Sequence, residues 1–342
     1  MARTTDLLPD ELEALNDPRR IAARDAWMQK LDGLFSGRPV DGVFDLNGYW
    51  AVASTLMLDD HRRWLAEALR DLASNADIIM DPAVFRPLVV SGAMYGVHFV
   101  DAILGADVFD LTGAGNWQVR PLNTPVGELR PPDIENDPTW RKAREAALAF
   151  VDCGAALPFY ETPTLSSPLN IALNLYGGEL LVAMLADPAA ARRDLRIITD
   201  LIVTLHRWYL DHVPAAQLQP VLSVERCQPA GYGQICGCST QLLSPAQYAD
   251  FIAPLDDEIL SVYPNGGMIH LCGAHTQHVE AFRQMASLRA VQINDRAADD
   301  VATYFDQLRD DQVLYVNLRP GTWQTVRDIT GGRRLVTIGP RE

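Results

Sequence analysis

From Gln219 to Ile338 the chain repeats one pattern, and that repetition constrains the fold more than any other feature. Short apolar runs at Pro220–Val224, Met268–Cys272, residues 289–294, residues 313–317 and Leu335–Ile338 alternate with helical stretches opening near Ser244, Thr276, Asp299 and Thr322. Runs that are apolar on both faces read as strands buried on both sides. Strands separated each time by a helix must lie parallel, because a hairpin cannot return the chain in that direction. Val43–Leu46, Ile78–Met80 and Leu157–Glu161 add strand candidates upstream. About eight sequential βα units predict an α/β fold of the (β/α)8 TIM-barrel kind.

The remaining stretches fit around such a barrel. Residues 9–35 predict a helix ending near Gly37, so that 1–40 forms an N-terminal helical addition to a single domain spanning 1–342. Asp60–Ala73 is amphipathic, with Trp64, Leu65, Leu69 and Leu72 at helical spacing. Residues 86–137 are broken by Gly105, Gly113, Gly115, Pro121, Pro125, Pro131 and Pro132, and predict an irregular folded excursion near the barrel mouth. Asp187-Pro188 supplies a cap and a first-turn proline for a long helix, and Ser244-Pro245-Ala246-Gln247 has the form of a capping box.

A net charge of −15 argues against nucleic acid or an anionic membrane as partner, since both need a basic surface. No run approaches the roughly 18 apolar residues of a membrane span, and the start of the chain lacks a signal-like apolar run, so the expectation is a cytoplasmic protein. The chain has 5 cysteines, unevenly spaced, with Cys227, Cys236, Cys238 and Cys272 in one region; this is not a disulfide framework.

Chemistry concentrates in Met268–Asp295. His270 and Cys272 are two residues apart at a strand end, so their side chains share a face and can grip one metal ion; zinc takes that pair readily. Cys236 or Cys238 is the candidate for a further sulfur ligand. Asp295 and Asn317 end later strands and, with His275, are candidate catalytic groups on the same rim. Arg86, Tyr95, His98, Arg226 and Gln234 are candidate substrate contacts. The alternative is structural: His270 as a hydrogen-bonded core histidine and Cys272 as a small apolar residue.

Several phrases in order along the chain carry a family resemblance. They are Leu31 to Asp41 (LDGLFSGRPVD), Ser167-Pro168 through Gly177-Gly178-Glu179-Leu180-Leu181 to Asp187-Pro188, Leu242-Leu243-Ser244-Pro245 with Tyr248, Phe251 and Pro254, Ile269-His270-Leu271-Cys272-Gly273, and Val316-Asn317-Leu318-Arg319-Pro320. Together they resemble the uroporphyrinogen decarboxylase superfamily, which is similar in fold to cobalamin-independent methionine synthase.

The resemblance implies a barrel with its site at the strand C-termini. The decarboxylase branch's arginine-rich N-terminal motif and C-terminal Gly-His-Gly motif are both missing, with Asp45-Leu46-Asn47-Gly48 and Thr337-Ile338-Gly339-Pro340 in those regions. The branch of zinc methyltransferases acting on corrinoid proteins uses His-x-Cys, a carboxylate from the next strand and a C-terminal cysteine. His270 and Cys272 match the pair and Asp295 the carboxylate; the C-terminal cysteine is absent, so Cys236 or Cys238 must replace it. The resulting expectation is a zinc-dependent methyl (alkyl) transfer to a small-molecule thiol, with a corrinoid as methyl donor and a corrinoid protein as a candidate partner. A decarboxylase or other lyase of the superfamily is one rival, and a non-catalytic corrinoid- or tetrapyrrole-binding barrel another.

Overall fold

A computed structural model of the chain describes residues 9–38, 44–51, 56–219 and 226–339. Its strands, in chain order, are β1 (Phe44–Leu46), β2 (Tyr49–Trp50), β3 (Leu88–Ser91), β4 (Asp107–Asp110), β5 (Trp117–Arg120), β6 (Phe159–Glu161), β7 (Leu218–Gln219), β8 (Gly233–Cys236), β9 (Gly267–Leu271), β10 (Leu288–Ile293), β11 (Val313–Asn317) and β12 (Leu335–Ile338). They form a 6-stranded parallel sheet in the order β1-β12-β11-β10-β9-β8 and a 4-stranded parallel sheet in the order β2-β3-β6-β7. One extended segment joins them: Leu46 bridges Phe85 in parallel, and the Asn47, Tyr49 and Ala51 amides donate to the carbonyls of Phe85, Pro87 and Val89. The hydrogen-bonded succession thus runs from β7 through β1 and β2 to β8. Residues 220–225, between those two outer strands, lie outside the described set, and the expected strand Pro220–Val224 falls on them.

β8, β9, β11 and β12 are almost wholly buried, and consecutive strands are linked by helices packed against them. Such strands need apolar side chains on both faces, which is why β9, β11 and β12 are legible as apolar runs, whereas β8, with Gly233 and Gln234, is not. The helix Pro188–His212 is fixed at its start by the Asp187 carboxylate, which accepts from the Ala190 amide at 3.2 Å. Its buried stripe includes Leu195, Ile198, Ile202, Leu205 and Tyr209, and Tyr209 meets Trp140 edge-on at 5.7 Å. The Ser244–Gln247 capping box is present with both hydrogen bonds.

Four expectations are corrected. Ile78–Met80 is not a strand but part of a 3-10 turn, Ala76–Met80. The strand that follows β2 is β3, inside the stretch expected to be irregular; that stretch also holds the antiparallel β4–β5 hairpin and the helix Phe99–Ile103. The run Leu88–Ser91, set between Pro87 and Gly92, is a short apolar run inside that broken stretch, and it pairs with β2 and β6 as β3. Residues 233–236, which are not among the strands expected from the sequence, form the strand β8. The predicted helix 9–35 is two helices, Pro9–Leu15 and Pro18–Phe35, because Asp17-Pro18 starts a new cap.

Among the described residues no single helix is long and apolar enough to cross a membrane. The bent pair Pro168–Tyr176 and Glu179–Ala186 is apolar, but most of its first member is buried within the protein.

Candidate metal centre

Register places the site. Cys236 in β8, His270 in β9 and Gln292 in β10 are neighbouring partners across the sheet, so their side chains rise from the same face. Beyond β9 the chain turns at Gly273, whose φ is +74° and whose hydrogen faces the Gln241 side chain where a Cβ would collide. That close approach sets the Cys272 loop against the turn Cys238–Leu242 that follows β8. The ligating atoms of Cys238, His270 and Cys272 then all lie within 4.8 Å of one another. In a tetrahedral zinc site with bonds of about 2.0–2.3 Å, neighbouring ligand atoms stand roughly 3.5 Å apart. Among the described residues, two sulfurs and one imidazole nitrogen thus form a donor group that fits zinc in chemistry and in spacing.

His270 is 4% exposed, and both its ring nitrogens are engaged. Nδ1 faces the Gln292 side-chain carbonyl, and Nε2 is 3.0 Å from the Cys272 sulfur. The Cys238 thiol donates to Cys272 and His270 adds its own bond and charge; together they outweigh burial and lower the Cys272 thiol to about 5. Cys238, as the partner that keeps its proton and is buried, is pushed far upward. The pairing thus favours the thiolate form of Cys272.

The loop carrying Cys272 is propped by two further histidines. His275 is wholly buried; its Nε2 meets the Cys272 carbonyl and its Nδ1 is 2.9 Å from the Thr240 hydroxyl. Burial lowers its pKa to about 4, so it is a neutral strut with both nitrogens taken. His278 donates from Nε2 to the Thr240 carbonyl at 2.9 Å.

The other expected site residues divide. Cys236 is not within the three-residue donor group; its sulfur instead receives Nη1 of Arg226 at 3.6 Å. Asp295 is exposed with φ +46° and also stands outside that group, although its charge is felt at Cys272. Asn317 takes the Gln292 amide on its Oδ1. Arg226 is buried beside Cys236 and faces Glu161 electrostatically, with its Nε lacking a partner among the described residues. Both amide atoms of buried Gln234 likewise lack partners there. Arg86 pairs with Asp81 at 3.1 Å. Tyr95 is in left-handed conformation against Trp117, edge-on at 4.9 Å. His98 binds the buried Asp101 at 2.7 Å, and Asn174 donates to the same carboxylate oxygen at 2.8 Å. Arg319, from the last of the phrases that carry the resemblance, pairs with Asp299. Arg86, Tyr95, His98 and Arg319 thus have structural partners of their own.

Two residues of this region were not singled out from the sequence. Gln292 is a polar residue inside the apolar run of β10, and that break in the pattern was its signal. Glu161, at the end of β6, is 2% exposed, with burial raising its carboxyl to about 8 against the opposing effects of the Ser91 hydroxyl and the Arg226 charge. Its only sequence signal was an acid closing a Pro-bounded apolar run.

No protein-family model matches the chain, and no curated protein matches it in sequence. Among solved structures it is similar to a methyltransferase from Methanosarcina mazei, with a TM-score of 0.63 and 12% sequence identity, over 92% of this chain and 92% of that one. At that identity the likeness is one of fold.

Proposed function

We propose that this chain is a zinc-dependent methyl (alkyl) transferase of the uroporphyrinogen decarboxylase superfamily, built as a (β/α)8 barrel and acting on a small-molecule thiol. The observation that carries the reading is the Cys238–His270–Cys272 donor group on one end of the parallel sheet. The fold shared with a methyltransferase supports it. Bound zinc enforces deprotonation of a thiol that joins it, and thiolate, not thiol, is the nucleophile.

The chain's own residues supply the rest. Cys238, His270 and Cys272 hold the ion; His275 and Thr240 fix the loop that presents Cys272; Gly273 permits the turn. Asp295 and Asn317 border the site, and Arg226, Glu161 and Gln234 offer buried polar atoms toward a substrate near Cys236. A corrinoid, free or on a carrier protein, is the proposed methyl donor.

Metal analysis of protein produced in zinc-replete medium and purified under reducing conditions tests this. About one zinc per chain is expected, together with methyl transfer from methylcobalamin to a thiol, both lost in Cys238→Ser and His270→Ala. Protein that neither contains nor takes up zinc overturns the reading. In that event carbon dioxide release from a carboxylated substrate identifies a lyase, and cobalamin or porphyrin binding without turnover a carrier.

A further inference from the structure

Beyond the three donors, one side chain holds His270 in place from the neighbouring strand. Gln292 is wholly buried in β10, in register with His270 of β9. Its carbonyl oxygen faces His270 Nδ1, and its amide nitrogen donates to Asn317 Oδ1 on β11. The relay therefore crosses three adjacent parallel strands, with the Gln292 carbonyl on His270 and its amide nitrogen on Asn317. An amide that donates to Asn317 presents only its carbonyl to the imidazole. That carbonyl can accept a proton from Nδ1 but cannot donate one, so Nδ1 must carry hydrogen. Nε2 is then the nitrogen turned toward Cys272, at 3.0 Å from its sulfur.

We propose that Gln292 is a positioning residue for the metal centre: with Asn317 it selects the ring orientation and the Nδ1–H form of His270, so that Nε2 is the ligating atom. This deepens the function proposed above and rests on it for the identity of the ion. The physical basis is general. A ligating histidine whose second nitrogen is hydrogen-bonded is restricted in rotation and in tautomer, and its ligating nitrogen becomes more basic; losing the outer partner typically costs about 10- to 100-fold in metal affinity. Here the outer partner is neutral, so it orients the ring without adding a charge to a chain already at −15.

The test compares wild type with Gln292→Leu, Gln292→Glu and Asn317→Ala by zinc competition against a chromophoric chelator. The hydrogen-bonded Nδ1–H resonance of His270 is recorded in metal-free 15N-labelled protein. Gln292→Leu is expected to lower zinc affinity by about 10- to 100-fold and to erase the resonance, whereas Gln292→Glu, which still accepts from Nδ1, restores most of both. Asn317→Ala, which leaves the carbonyl in place but frees the amide to turn, is expected to cost roughly threefold. Equal zinc affinity in wild type and Gln292→Leu, or a wild-type His270 without the Nδ1–H resonance, overturns the proposal. Should Gln292→Leu fail to fold, the other two variants carry the decision. Wild-type protein that binds no zinc sinks the transferase reading, while the resonance still decides for or against Gln292.

Discussion

Two buried polar regions lie side by side on the strand ends, and they solve the cost of burial in opposite ways. Around β8, β9 and β10, Cys238, His270, Cys272 and Gln292 satisfy one another through hydrogen bonds, and the outcome is a stabilised thiolate lowered to about 5. Around β3 and β6, Glu161 and Arg226 are incompletely paired among the described residues, and Glu161 is pushed up to about 8 chiefly by desolvation. The first region is prepared to receive a cation. In the second, one oxygen of Glu161 and Nε of Arg226 have no hydrogen-bond partner among the described residues. Burial alone therefore does not decide ionisation; the direction of the neighbouring dipoles does.

The largest test of this contrast is removal of a donor. Cys272→Ser is expected to lower zinc affinity by more than the roughly 100-fold upper range of an outer partner, since serine offers no thiolate. Retained tight binding by competition titration would remove Cys272 from the ligand set. Next is the stability of the second region against pH. Glu161 binds its proton more tightly folded than unfolded, so its contribution is fully present below the unfolded pKa near 4.5 and is lost as pH rises through about 8. Wild type should lose stability across that window with a slope of at most about 1.4 kcal/mol per pH unit. Glu161→Gln should flatten the slope in denaturant titrations at pH 5, 7 and 8.5, and an unchanged slope would show that Glu161 ionises normally.

Smaller still is a kinetic readout of the first region. In metal-free protein, alkylation of Cys272 by iodoacetamide should titrate near pH 5, and in Cys238→Ala the midpoint should move upward because the thiol donor is gone. A wild-type midpoint near the ordinary thiol value would contradict the pairing. The smallest effect is expected outside both regions. Arg86→Ala removes a partly exposed ion pair to Asp81 and should cost between about 0 and 1 kcal/mol without altering zinc binding. A strong loss of activity there would return Arg86 to the substrate site.

The sequence-to-structure correspondence is uneven for the same physical reasons. The C-terminal units are readable because β9, β10, β11 and β12 are mostly apolar runs with helices between them. β3 lies inside a stretch whose glycines and prolines point to irregular structure, and Ile78–Met80 misled because an apolar triplet packs as well in a 3-10 turn as in a strand. In the site, His270 and Cys272 were visible because local spacing alone puts them on one face. The choice between Cys236 and Cys238 was not, since adjacent register partners and loop geometry separate the two sulfurs: β8 turns one toward Arg226, and the turn after it brings the other to His270.

By itself, the amino-acid order determined an α/β chain of parallel strands and a His-x-Cys pair at one strand end. Both follow from periodicity, which is a property of neighbours in the chain. Tertiary structure alone decided that Cys238 joins that pair, that Gln292 and Asn317 hold the histidine, and that burial raises the Glu161 carboxyl beside Arg226. Those outcomes depend on register between strands and on how far each group is removed from water, and neither quantity is local in sequence.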